Sequence, residues 1–175
     1  ELLLAAGADP NIRDTDGVTA LHYMARSPAV LKKLVAAGGD INARDSLGDT
    51  PFHYALASSQ KGESGELFTS IVELGADIQR ANNAGATPLM YAAAGKNADA
   101  VRLLLDKKAA VNAATGPDGN TALHFAAAGG NAEFVKLLLA AGAAVNIPNK
   151  CGVTPLMIAR AREDAAMAAL LRKAG

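Results

Sequence analysis

The stretch GNTALHFAAAGGNAEFVKLLLAAGAAVN, Gly119–Asn146, has a near copy in GATPLMYAAAGKNADAVRLLLDKKAAVN, Gly85–Asn112. Two segments this alike mark a chain that stacks one unit on the next. Looser copies begin at Gly17 (GVTALHYMA), Gly48 (GDTPFHYAL) and Gly152 (GVTPLMIAR). The five turn glycines are 31, 37, 34 and 33 residues apart, and after one intervening residue each is followed by T-[AP]-[LF]-[HM].

Within the unit, Gly119 stands where a tight turn needs a residue without a Cβ. Thr121 is placed to cap a first helix over 122–128. In three copies the next residue is proline (Pro51, Pro88, Pro155), which suits the first helical position because its missing N–H would be unpaired there anyway. Gly129 and Gly130 break this helix. A second helix is predicted over 132–140, with Phe134, Val135, Leu137, Leu138 and Leu139 on its apolar side and Glu133 and Lys136 outward as an i, i+3 pair. Asp99 and Arg102 repeat that pair one unit earlier. Gly142 ends the helix in the left-handed conformation favoured past a C-terminus. Neither helix can bury its apolar face inside one unit, so the faces close on neighbouring units.

A period near 33 residues carrying T-P-L-H-x-A resembles the ankyrin repeat, and the resemblance covers essentially all 175 residues. It implies an all-α solenoid of stacked antiparallel helix pairs joined by β-hairpin-like turns. Residues 1–175 then form a single domain, with a partial repeat over 1–14 and repeats over about 15–45, 46–82, 83–115, 116–148 and 149–175. The opening ELLLAAGAD matches KLLLAAGAA at Lys136–Ala144. Residue 1 is therefore expected inside the second helix of an earlier repeat, in a piece of a longer chain.

Departures from the pattern carry expectations of their own. Lys96 stands where the aligned repeat has Gly130, and Lys108 where others have Gly38, Gly75 and Gly142. Lys108 is predicted at positive φ, with a strain of roughly 1 kcal/mol. SSQKGESGE, Ser58–Glu66, adds four residues between the helices of the second repeat; tolerated loop growth and a functional loop are both open readings. Arg160 replaces the alanines Ala25, Ala93 and Ala127, and with Arg162, Arg172 and Lys173 it reads as the solvated end of a C-terminal capping repeat.

Seventeen basic and seventeen acidic residues leave no net charge, which gives no electrostatic basis for nucleic acid or an anionic membrane as partner. No apolar run approaches the roughly 20 residues that span a bilayer. The single cysteine, Cys151, fits a reducing compartment such as the cytoplasm. No cofactor or metal is expected. His22, His53 and His124 hold the same place in three repeats, and packed helices are about 8–10 Å apart, whereas zinc needs its nitrogens about 2.0–2.1 Å from one ion. Each histidine is expected to bond the neighbouring turn backbone. Cys151 adjoins Lys150 but has no histidine nearby in sequence, so an inert exposed thiol is expected. GPDG, Gly116–Gly119, lacks the Lys-Ser/Thr of a phosphate loop. With no acid–base pair standing out, the chain is expected not to be an enzyme.

The resemblance further implies a curved stack that binds another protein through hairpin tips and first helices on its concave side, as a monomeric domain. Carried over residue by residue, the partner-binding set is Asp16, Val18, Arg26, Leu47, Asp49, Tyr54, Asn83, Asp118, Asn120 and Lys150. Leu47 draws attention because its equivalents are Asp16, Ala84, Asp118 and Cys151. An apolar centre of Leu47, Val18 and Tyr54, rimmed by Asp16, Asp49 and Arg26, is one reading; quiet packing of Leu47 on the next hairpin is the other. Tyr23, Tyr54, Tyr91, Phe125 and Ile158 form a ladder that either fills the core or presents hydroxyls to the concave side. The runner-up function is a structural or autoregulatory segment packing against other domains of a larger protein.

Overall fold

Thr19, Thr50, Thr87, Thr121 and Thr154 each take an extended conformation immediately before a short helix. A second, mostly longer helix follows each one, and the pairs repeat along the chain. The computed structural model describes residues 4, 6–59, 65–95 and 97–175. Among these the pairs are α1 (Ala20–Tyr23) with α2 (Pro28–Ala36), α3 (Pro51–Ala57) with α4 (Glu66–Glu73), and α5 (Pro88–Ala94) with α6 (Ala98–Asp106). They continue as α7 (Ala122–Gly129) with α8 (Ala132–Ala140), and α9 (Pro155–Ala161) with α10 (Ala165–Ala174). Each first helix packs on the next first helix and each second helix on the next second helix, giving two parallel layers. The described residues contain no strand; one isolated antiparallel bridge joins Ala114 and Thr121.

Small side chains let the inner layer pack closely. Ala55, Ala92, Ala126 and Ala159 are fully or almost fully buried between successive first helices, and Leu21, Phe52, Leu89 and Leu123 fill the space behind them. From the outer layer Leu34, Ile71, Leu104, Leu138 and Leu171 hold one equivalent buried position each. This single continuous core exists only between repeats, as a one-dimensional stack requires.

The helix starts differ in one respect from the expectation of a simple threonine cap. In three repeats the threonine hydroxyl meets the histidine three residues on, with Oγ1 to Nδ1 distances of 3.0 Å for Thr19–His22 and 2.9 Å for Thr50–His53 and Thr121–His124. Nδ1 also accepts the threonine backbone N–H at 3.1 Å in each. Met90 replaces the histidine in the third repeat, and there Thr87 Oγ1 is buried without a hydrogen-bond partner among the described residues.

Lys108 has φ 64°, in the left-handed region shared by Gly38, Gly75 and Gly142 at φ 89°, 95° and 88°. Glu163 has φ 57° where Gly130 has φ 68°, a second non-glycine residue in the left-handed region. Lys96 lies outside the described residues, as do 60–64 of the inserted segment and 1–3 and 5 of the opening stretch. Arg160 is exposed at the far end of the stack.

Candidate protein-binding face

The hairpin tips are built by asparagine and aspartate side chains. Asp14, Asp45, Asn82 and Asn149 each accept two backbone N–H groups, two and four residues ahead, at 2.8–3.0 Å. Such side chains mimic a backbone turn and so favour this conformation. Successive tips are then joined by one backbone bond each: Ser46 N–H to Asp16 O (2.8 Å), Asn83 to Leu47 (2.9 Å), Gly116 to Ala84 (2.9 Å) and Lys150 to Asp118 (2.8 Å).

Behind the tips, the histidines tie each unit to the next. The Nε2–H of His22 donates to Asp49 O (3.1 Å), that of His53 to Ala86 O (3.3 Å) and that of His124 to Val153 O (3.1 Å). These bonds set the tautomer, with Nδ1 as acceptor. Burial is the main cause that holds all three pKa values below the usual 6.5, so the rings are neutral at pH 7.

The tyrosine ladder lies along the inner edge. Tyr23 Oη donates to Asp14 Oδ2 and Tyr54 Oη to Asp45 Oδ2, both at 2.8 Å; Tyr91 Oη lies 2.9 Å from both oxygens of Asp49. Tyr54 and Tyr91 are half-buried and stand edge-on to His22 and His53, with ring centroids 5.1 and 4.9 Å apart. Burial and the adjacent carboxylates push both phenol pKa values well up. The hydroxyls are thus held by the protein's own acids.

Placement of the ten candidate residues splits them. Asp16, Leu47, Asn83, Asp118 and Lys150 are exposed at the tips, Leu47 by 66%. Its exposure removes the reading in which it packs quietly on the next hairpin. Val18 and Asp49, expected as exposed centre and rim, are each only 8% exposed. The residue after the turn glycine is drawn under the hairpin, because its N–H bonds back to the aspartate four residues earlier. Asp49 is further tied by Asn82 Nδ2 (2.9 Å) and Tyr91. Asn120 is half-buried, its side-chain oxygen accepting from Asn149 (2.9 Å). Arg26 reaches the Ser58 carbonyl at 2.8 Å, and the Lys150 ammonium bonds the Gly116 carbonyl. Arg13 and Arg44 likewise serve neighbouring tips, through the Arg44 carbonyl and Asn83 Oδ1.

Single residues could not reveal the concavity between these elements. A cavity of about 480 Å³ opens between the third and fourth repeats, lined by Ala84, Met90, Tyr91, Ala94, Pro117 and Phe125 among others. A second, of about 400 Å³, adjoins it through Ala57 and Tyr91 and is also lined by Asp49, His53, Tyr54 and Ser58. The small, neutral middle tips are what leave this space open. The signal in the sequence was the pair of alanines at Ala84 and Ala86, where larger residues stand elsewhere.

Among the described residues no three of His, Cys, Asp and Glu are grouped so as to hold a metal ion, and no helix is long and apolar enough to cross a membrane. Cys151 is exposed. No curated protein sequence matches the chain significantly. The family model for ankyrin repeats (3 copies) matches residues 1–82, 27–115, 56–149 and 110–175, which together span the whole chain. Period, paired helices, cross-linked tips and this match lead to one assignment: the chain belongs to the ankyrin-repeat family.

Proposed function

We propose that this chain is a non-catalytic module that binds a partner protein through its concave face of hairpin tips and first helices. Ankyrin repeats are generally protein–protein interaction modules and typically non-catalytic. The observation that carries the choice of face is the pair of adjoining cavities that runs along the tips and first helices of the second to fourth repeats. The backbone of that groove is held by tip-to-tip hydrogen bonds before any partner arrives, so binding orders little and loses little entropy. Leu47, exposed one tip away from Ala84 at the groove's edge, supplies apolar surface of the kind that concentrates binding energy.

The test uses a partner recovered by affinity purification. Leu47→Ala should weaken binding by at least about 1 kcal/mol, read by calorimetry. Lys136→Ala and Arg102→Ala, on the opposite side, should leave affinity unchanged. Loss of binding in the two back variants, with Leu47→Ala unaffected, would overturn the assignment of the face.

A further inference from the structure

The smaller cavity has a chemical character distinct from the apolar groove beside it. Its wall carries two tyrosine rings from successive repeats, Tyr54 and Tyr91, together with Asp49. The Asp49 carboxylate is satisfied by neutral donors, Tyr91 Oη and Asn82 Nδ2. Asp45, buried alongside, takes the Tyr54 hydroxyl and the backbone N–H groups of Leu47 and Asp49. Neither carboxylate forms an ion pair among the described residues.

Buried carboxylates are ordinarily matched by a basic group. The nearby cations hydrogen-bond other groups, although the Arg44 guanidinium lies beside Gly48. Arg44 is held by Asn83 Oδ1 at 2.8 Å, and Arg26 engages the Ser58 carbonyl past the C-terminal end of α3. That point is roughly 10 Å along the helix from the Asp49 end. His22 and His53 are held neutral by burial. The pocket therefore presents negative charge at its tip end and two π-systems in its walls, and aromatic faces attract ammonium and guanidinium groups.

We propose that this pocket receives a lysine or arginine side chain of the partner protein, its cation set against Asp49 between Tyr54 and Tyr91. A neighbouring apolar residue of the same partner segment lies in the adjoining groove over Met90, Ala94 and Phe125. This rests on the concave face being the binding face, and it adds the chemistry that face selects.

The probe is a displayed library of short unstructured peptides, selected against the folded chain. Selected peptides should share a lysine or arginine. Replacing it with norleucine or citrulline, which keep its length without the charge, should weaken binding at least about tenfold. Asp49→Asn, which retains an oxygen acceptor for Tyr91, should cause a comparable loss for the basic peptide and none beyond it for the uncharged one. Failure to enrich any binder, or binders indifferent to both changes, would overturn the proposal. Hydrogen-exchange footprints separate the two ideas. A footprint on α5 and α7 with indifference to Asp49→Asn sinks only the basic-residue pocket, whereas a footprint on α6 and α8 sinks the concave reading itself. If Asp49→Asn fails to fold, the norleucine and citrulline peptides decide the matter on the unaltered chain.

Discussion

The junction between the second and third repeats closes differently from that between the third and fourth, although both use the same helix positions. At the first, His53 bonds Ala86 O, Tyr91 and Asn82 bond Asp49, and Asn83 bonds both Ser46 O and Leu47 O. At the second, Met90 stands in place of the histidine, and among the described residues Thr87 Oγ1 has no partner, the tips share one bond from Gly116 N–H to Ala84 O, and the other links are Asn112 to Gly142 and Ala144 and the Arg102–Glu133 ion pair. Yet the third and fourth repeats are the two most alike in sequence. Similarity between units therefore does not fix how many hydrogen bonds join them. A junction depends on pairs of residues that differ, one from each repeat, and the sparser junction is where the larger cavity opens.

This comparison can be broken most sharply at its best-linked point. His53→Ala removes the bonds to Thr50 and Ala86 and leaves buried polar groups unpaired. It should destabilise the chain by about 2–3 kcal/mol in urea unfolding, and a loss below about 0.5 kcal/mol would show that the histidine does not tie the repeats.

Acid should separate the two junctions next. The three histidines have folded pKa values below their unfolded value near 6.5, chiefly through burial. The unfolded chain then binds more protons as the pH falls, so this contribution is complete above about pH 6.5 and is lost as pH drops through the folded values. Hydrogen exchange between pH 7 and 5 should show opening at the three junctions tied by histidine, while the Met90 junction changes least. Uniform loss of protection would contradict this.

Met90→His should repair the sparser junction by giving Thr87 a partner and reaching the Asn120 carbonyl. The expected gain is about 1 kcal/mol at pH 8, vanishing in acid for the reason just given. Destabilisation at pH 8 would mean that the methionine's packing outweighs the missing bonds. Lys108→Gly keeps the backbone carbonyl that accepts from Gln79 Nε2 across the first junction (3.0 Å) and so tests local strain alone. With φ 64° relieved, stability should be unchanged or rise by up to about 1 kcal/mol, and a clear fall in the urea midpoint would refute the strain.

The repeat units were readable because each recurs at one spacing. The second helix predicted over 132–140 is observed as Ala132–Ala140, and the first, predicted over 122–128, extends one residue to Gly129. Lys108 was legible for the same reason, as a departure from glycine at a position the period identifies. Glu163 was equally open to that comparison, at the place of Gly130. The candidate site was legible only in part. Leu47 could be singled out by contrast with its equivalents, but Asp49, two residues on, and its first-repeat equivalent Val18 turn inward. Their burial follows from a side-chain bond to the backbone four residues on, which leaves no mark in hydrophobic pattern.

By itself the sequence determined the family, the order of helices and the histidine positions. These depend on local periodicity and on equivalences that a repeated pattern exposes. Only the tertiary structure decided which carboxylates are buried, which tyrosines they hold, and where small side chains leave a groove. Some of these pairs are near in sequence, Tyr23 with Asp14 and Tyr54 with Asp45 at 9 positions, but those that join units are about 29–42 apart, such as His124 with Val153 and Tyr91 with Asp49. The meeting of the distant pairs is set by the stacking of one unit on another, and no single unit contains it.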